Sequence, residues 1–101
     1  MKEEGTNQRI MDTISIIGLG NMARALASRA LEGGNAVEII GRNPAKAKTL
    51  ADVLGATVGT APTGDIVILA VPYANAAAVL RQHADALRAK VIVDITNPHQ
   101  S

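Results

Sequence analysis

One turn constrains this chain more than anything else in it. Gly18-Leu19-Gly20-Asn21-Met22-Ala23 stands between Thr13–Ile17 (TISII), a β-branched run that reads as a buried strand, and Asn21–Glu32, whose Ala, Leu and Arg content favours helix. In that setting each position of G-x-G-x-x-A has a physical task. Gly18 permits a tight strand-to-helix turn, Gly20 has no Cβ to hold a phosphate away from the backbone, and Ala23 is small enough for the helix to press on the sheet. The first N–H groups of the helix and its positive dipole end would then face an anion. A glycine-rich turn with no ligand has the same composition. The strand before it, the helix after it and a second strand at the right distance favour a dinucleotide.

The pattern then repeats. Gly33-Gly34 stop the first helix, and Val37–Ile40 is a second strand. Pro44–Leu54 is predicted as a helix, with Asn43 as N-cap, Pro44 at the first helical position and Gly55 as the stop. Ala56–Val58 reads as a very short third strand and Ile66–Val71 (IVILAV) as a fourth, ended by Pro72. Ala74–Arg88 is expected to be a third helix and Val91–Ile95 a last strand before Asn97-Pro98. This order predicts an α/β fold with right-handed crossovers: a Rossmann-type parallel sheet with flanking helices, truncated after the first half. Only Gly59–Asp65 separates the third strand from the fourth, whereas a parallel crossover usually takes about a dozen residues. Either that strand is vestigial or the crossover helix has shrunk to a loop.

Composition agrees with one thinly packed domain. The 101 residues suffice for a single core, and the 48% that are hydrophobic are nearly all Ala, Val, Ile and Leu, with Tyr73 the one aromatic. Residues 1–12 are polar and charged and read as a flexible leader, leaving 13–101 as the dinucleotide-binding domain; Met1 and Met11 both stand as candidate starts. A net charge of +1 gives no case for nucleic-acid or membrane electrostatics. The absence of cysteine excludes disulfides and thiolate metal sites, and with no signal peptide or membrane span the expected address is cytoplasmic.

The end of the second strand bears on which dinucleotide is held. NAD-specific sites usually carry an acid there, bonding the adenosine ribose. Glu38 lies about 20 residues beyond Gly18, but two residues before the strand ends, so its side chain should not reach the ribose. The rim reads Ile40-Gly41-Arg42-Asn43 instead. Arg42 can bond a 2′-phosphate with charge-assisted, bidentate geometry, which favours NADP(H). Asn43 can add a hydrogen bond, although capping explains it equally well. Lys46 is near enough to help, yet also reads as a solvated helix-face lysine.

Several segments resemble the family of coenzyme F-420-dependent NADP oxidoreductases: Ile17–Met22 (IGLGNM), Gly41-Arg42, Asp65–Pro72 (DIVILAVP) and Val93–Pro98 (VDITNP). The resemblance covers about residues 13–99. Gly20–Ala23 (GNMA) also looks like pyrroline-5-carboxylate reductases, which end this domain differently. The resemblance implies hydride transfer between NADPH and a deazaflavin, flavin or other small acceptor, with coenzyme F-420 or a flavin as second substrate. It places Gly18, Leu19, Gly20, Asn21, Met22, Arg42 and Asn43 at the cofactor. Ala70, Val71 and Pro72 would lie between its halves, and Thr96, Asn97 and Pro98 near the nicotinamide ribose. Asp94, inside an apolar strand, is expected to hold a structural hydrogen bond. His83 and His99 receive no role, and the catalytic residues stay unassigned.

The family's enzymes continue beyond the T-N-P segment, and nothing here supplies the second wall of a hydride-transfer pocket. A non-catalytic NADP-binding or redox-sensing module, and the cofactor half of a pyrroline-5-carboxylate reductase-like enzyme, therefore stay open as alternatives. In the expected strand order Val91–Ile95 is an apolar edge, which predicts a homo-oligomer or a partner chain paired there.

Overall fold

The computed structural model of the protein describes residues 13–88 and 90–95. Along the chain lie β1 (Thr13–Ile17), α1 (Asn21–Glu32), β2 (Ala36–Ile40), α2 (Pro44–Leu54), β3 (Thr57–Val58), β4 (Ile66–Leu69), α3 (Tyr73–Gln82) and β5 (Val91–Asp94). All neighbouring strands pair in parallel, in the order β3-β2-β1-β4-β5. This is the order of the Rossmann dinucleotide-binding sheet, in which the chain reverses direction between β1 and β4.

The two sheet faces follow from the period of two along each strand. Ile16 of β1 with Val37 and Ile39 of β2 pack under Ala23 and Ala27 of α1 and Ala47, Leu50 and Ala51 of α2. Alanines at the contact let both helices sit close to the sheet, as the small-aliphatic composition leads one to expect. On the opposite face Ile17, Ile40, Val67 and Leu69 meet Val79 of α3 and Leu87. The ends of α2 form as expected. Asn43 Oδ1 accepts from the Lys46 N–H at 3.1 Å, and Gly55 closes the helix at φ +83°, a left-handed conformation that glycine adopts without penalty.

Two elements end more than one residue earlier than the sequence predicts: β4 stops at Leu69 rather than Val71, where the backbone turns toward Pro72, and α3 is shorter at its carboxyl end. The helix expected to reach Arg88 ends at Gln82, and turns follow, with Leu87 N donating to His83 O at 3.0 Å. Local composition favours continued helix, but the turns return Leu87 to the core, where it is buried, and tertiary packing overrides propensity. The connection from β3 to β4 takes the form that its length in the sequence implies. The strand is reduced to two residues, and Gly59–Asp65 crosses behind β2 and β1 as a strap with no helix.

Buried polar groups hold that strap against the sheet. Ser15 and Glu38 are register partners on β1 and β2 and share the face opposite α1 and α2. Glu38 Oε1 accepts from Ser15 Oγ at 2.7 Å, from Thr63 N at 3.0 Å and from Thr63 Oγ1 at 3.1 Å, while Gly64 N donates to Ser15 Oγ at 2.8 Å. A Cβ on Gly64 would collide with the Thr13 backbone, and one on Gly59 with the Glu38 side chain. The backbone therefore lies directly on the strands.

β5 forms one edge, and all four of its residues are exposed. Asp94 sits at its carboxyl end, in register with Leu69 and accessible to solvent, so the desolvation cost expected of an acid inside a buried strand does not arise. Among the described residues no helix is long and apolar enough to cross a membrane, and no cluster of His, Cys, Asp or Glu could hold a metal ion.

Candidate functional site: a cleft at the carboxyl ends of the strands

At the reversal between β1 and β4 a cleft of about 580 Å³ opens beyond the strand ends. Glycine geometry shapes its floor. Gly18 N donates to Ile40 O at 2.8 Å and Ala70 N to Ile17 O at 2.9 Å, so the ends of β1, β2 and β4 are tied side by side. Gly18 has φ +143°, and a Cβ there would overlap the Ala70 carbonyl. The turn after β1 thus packs on the backbone leaving β4, and only glycine satisfies both the dihedral and the space. Gly41 has a parallel function: a Cβ would strike the Leu19 side chain, which lies across it and packs against the α1/α2 core.

Gly20 caps α1 from an extended conformation without a side-chain hydrogen bond, and a Cβ there would meet nothing within 4 Å. Intrahelical bonding begins with Arg24 N donating to Gly20 O at 3.0 Å. The amides ahead of it precede the helical ladder, and no acid in the first turn neutralises the positive dipole end. Ala23, fully buried, presses the helix onto the sheet as the motif requires.

The rim at the end of β2 is cationic. Arg42 is exposed there, and Lys46, one turn into α2, lines the same cleft. Asn43 lines it too, but its Oδ1 is committed to the cap. Among the described residues no acidic side chain is part of the lining. Glu38, the nearest acid to the end of β2 in sequence, points to Ser15 and Thr63 and is 9% exposed.

Of the sequence-predicted residues, Gly18, Leu19, Gly20, Arg42, Asn43, Ala70, Val71 and Pro72 converge on this cleft. Asn21 and Met22 open α1 beside it and are exposed, without forming its wall. Thr96, Asn97, Pro98 and His99 lie outside the described residues. Sequence reading missed Thr60, on the strap, and the wall contributed by α3 and its C-cap: Asn75, Val79 and Gln82 of the helix, and His83 after it. His83, which follows the polar Arg81 and Gln82 and receives no role from sequence, is only 7% exposed. The spacing of these four residues is that of one helix face carried into the cap, and that periodicity is the available signal.

The arrangement suits an elongated anionic ligand. A glycine turn and open helix end in the middle have the geometry to take a diphosphate, and cationic side chains stand at one end. The relatives fit that geometry. The chain is similar to an imine reductase from Myxococcus stipitatus solved with NADP+, at 30% identity and TM-score 0.72, over 83% of this chain and 32% of that one. It is similar to a Streptomyces aurantiacus imine reductase at 28% identity and TM-score 0.70, over 83% and 31% of the two chains. A 3-hydroxyisobutyrate dehydrogenase from Mycobacterium tuberculosis follows at 26% identity and TM-score 0.67, over 86% and 32%. The chain thus spans about a third of the length of the solved structures it matches. No curated protein sequence matches it significantly. Residues 13–98, a span that takes in every described residue, match the model of the family NADP oxidoreductase, coenzyme F420-dependent, and the chain belongs to that family as an NAD(P)-binding, Rossmann-type oxidoreductase domain.

Proposed function

We propose that the cleft binds NADPH in preference to NADH and presents it for hydride transfer to a small acceptor. The observation that carries the preference is the rim of β2, where Arg42 and Lys46 stand and from which the nearby acid, Glu38, is turned away. Gly18, Leu19 and Gly20, with the amides of Asn21 and Met22, receive the pyrophosphate. Arg42 bonds the 2′-phosphate, with Lys46 and the Asn43 side-chain amide adding to it. Ala70, Val71 and Pro72 support the middle of the cofactor. The family resemblance assigns Thr96, Asn97 and Pro98 to the nicotinamide ribose. Bound NADPH supplies the hydride; the chain's own residues hold and orient it and exclude water from one side.

A charge-assisted contact to the 2′-phosphate contributes about 1.5–3 kcal/mol, or roughly tenfold to over a hundredfold between NADPH and NADH. Calorimetric titration of both cofactors tests this, with Arg42→Ala expected to remove most of the difference. Equal affinities in the wild-type protein would sink the assignment. For the acceptor the family resemblance supports coenzyme F-420 or a flavin, and the imine reductases add imines as a class. NADPH oxidation assayed against each separates them, while firm NADPH binding without turnover would favour a binding or sensing module.

The exposed apolar edge of β5 supports association as well. Val91, Ile92 and Val93 are 61%, 42% and 41% exposed, and neither lysine nor proline blunts the strand. A second copy of the chain is the proposed occupant of that edge.

A further inference from the structure

The strap between β3 and β4 changes the space beside α3. A parallel crossover of ordinary length carries a helix, which would lie on the sheet next to α3 and cover its flank. Here Gly59–Asp65 hugs the strands, with Gly59 N donating to Ile39 O at 3.0 Å and Thr63 held by Glu38. The flank of α3 facing β2 is left open, and the cofactor cleft extends along it.

What lines that extension has the character of a slot for a flat heteroaromatic ring. Ile40 and Val79 give it an apolar wall, and Asn75, Gln82 and His83 place polar groups along the same helix face. Among these His83 is the anomaly. It is 7% exposed, yet its imidazole has no hydrogen bond or ion pair with any described residue; only its backbone is engaged, through Val79 O and Leu87 N. Buried polar side chains are nearly always partnered, because an unmet group forfeits its hydration for nothing. An unpartnered imidazole in the wall of a ligand cleft is therefore a group whose partner arrives with the ligand.

We propose that His83 recognises the adenine base: the ring enters the slot against Ile40 and Val79, and the imidazole exchanges a hydrogen bond with its polar edge. This rests on the reading of the cleft as an NADPH site and assigns the base end of it. His83 is then a specificity-determining contact that acts through the base alone, independent of the 2′-phosphate contact at Arg42.

The test uses adenosine 2′,5′-bisphosphate, which has the base and the 2′-phosphate, and reduced nicotinamide mononucleotide, which has neither. The protein contains two histidines, so the imidazole nitrogen resonances of His83 can be assigned by comparison with a His83→Leu variant. On adding NADPH or the bisphosphate these resonances should shift and settle in one tautomer; the mononucleotide should leave them unmoved. His83→Leu should weaken NADPH and the bisphosphate by the same factor, roughly three- to tenfold for one hydrogen bond, with the NADPH-to-NADH ratio unchanged. His83→Gln, which can still bond the base, should recover most of the loss, and this also controls for a folding defect. Unmoved resonances, or unaltered affinity in a folded His83→Leu protein, would overturn the base contact and leave the NADPH reading standing. Failure of the wild-type protein to bind NADPH or the bisphosphate would overturn both.

Discussion

Removing the Glu38 side chain should unfasten the strap while leaving cofactor choice alone. One carboxylate oxygen accepts three hydrogen bonds, from Ser15 Oγ, Thr63 N and Thr63 Oγ1. In Glu38→Ala the Ser15 hydroxyl, fully buried, loses its acceptor, and the Thr63 amide loses its own in a half-buried setting. Each unmet buried donor costs about 1–3 kcal/mol, while the Thr63 hydroxyl, on an exposed residue, can turn to water. The expected destabilisation is about 2–4 kcal/mol. For a domain near 100 residues that lowers Tm by on the order of 10–25 °C. Urea unfolding followed by circular dichroism measures it, and Glu38→Gln, which keeps an acceptor at the same place, should lose only about 1 kcal/mol. An Ala variant within about 0.5 kcal/mol of wild type would refute the strap's dependence on this carboxylate. A selective loss of NADH binding would put Glu38 on the ribose instead.

Gly18→Ala adds a Cβ against the Ala70 carbonyl at a positive φ, and should cost about 2–4 kcal/mol by thermal melting while weakening NADPH binding at whatever temperature the variant stays folded. Gly55→Ala meets only the dihedral penalty, since nothing lies within 4 Å of the new Cβ, so a loss of about 1 kcal/mol with cofactor affinity intact is expected. Ile92→Lys on the exposed edge should shift sedimentation toward monomer at micromolar concentration; a wild-type protein already monomeric there would remove the case for pairing through β5.

The segments that could be read in advance are those whose signals are local. Thr13–Ile17, Asn21–Glu32 and Pro44–Leu54 have the same bounds in the structure as in the sequence reading, because caps, stops and apolar runs act within a few residues of themselves. The phosphate turn belongs to the same class, since its glycines answer to the backbone beside them. α3 was overdrawn because nothing in Ala84–Arg88 shows that Leu87 must return to a core built by β1, β2 and β4.

The sequence by itself determined the class of fold, the glycine turn and the replacement of an acid by Arg42 at the second strand's end. These depend on spacing along the chain and on the chemistry of single residues. Tertiary structure decided the rest: that Glu38 serves the strap, that Thr60 reaches the cleft, and that His83 is a buried wall residue rather than a surface one. Each depends on segments far apart in sequence. Ser15 and Glu38 meet only once β1 and β2 pair in register, and the α3 flank is open only because a seven-residue strap replaces a crossover helix. Gly59–Asp65 already revealed that the connection was short. What its shortness exposed could be seen only with the sheet assembled.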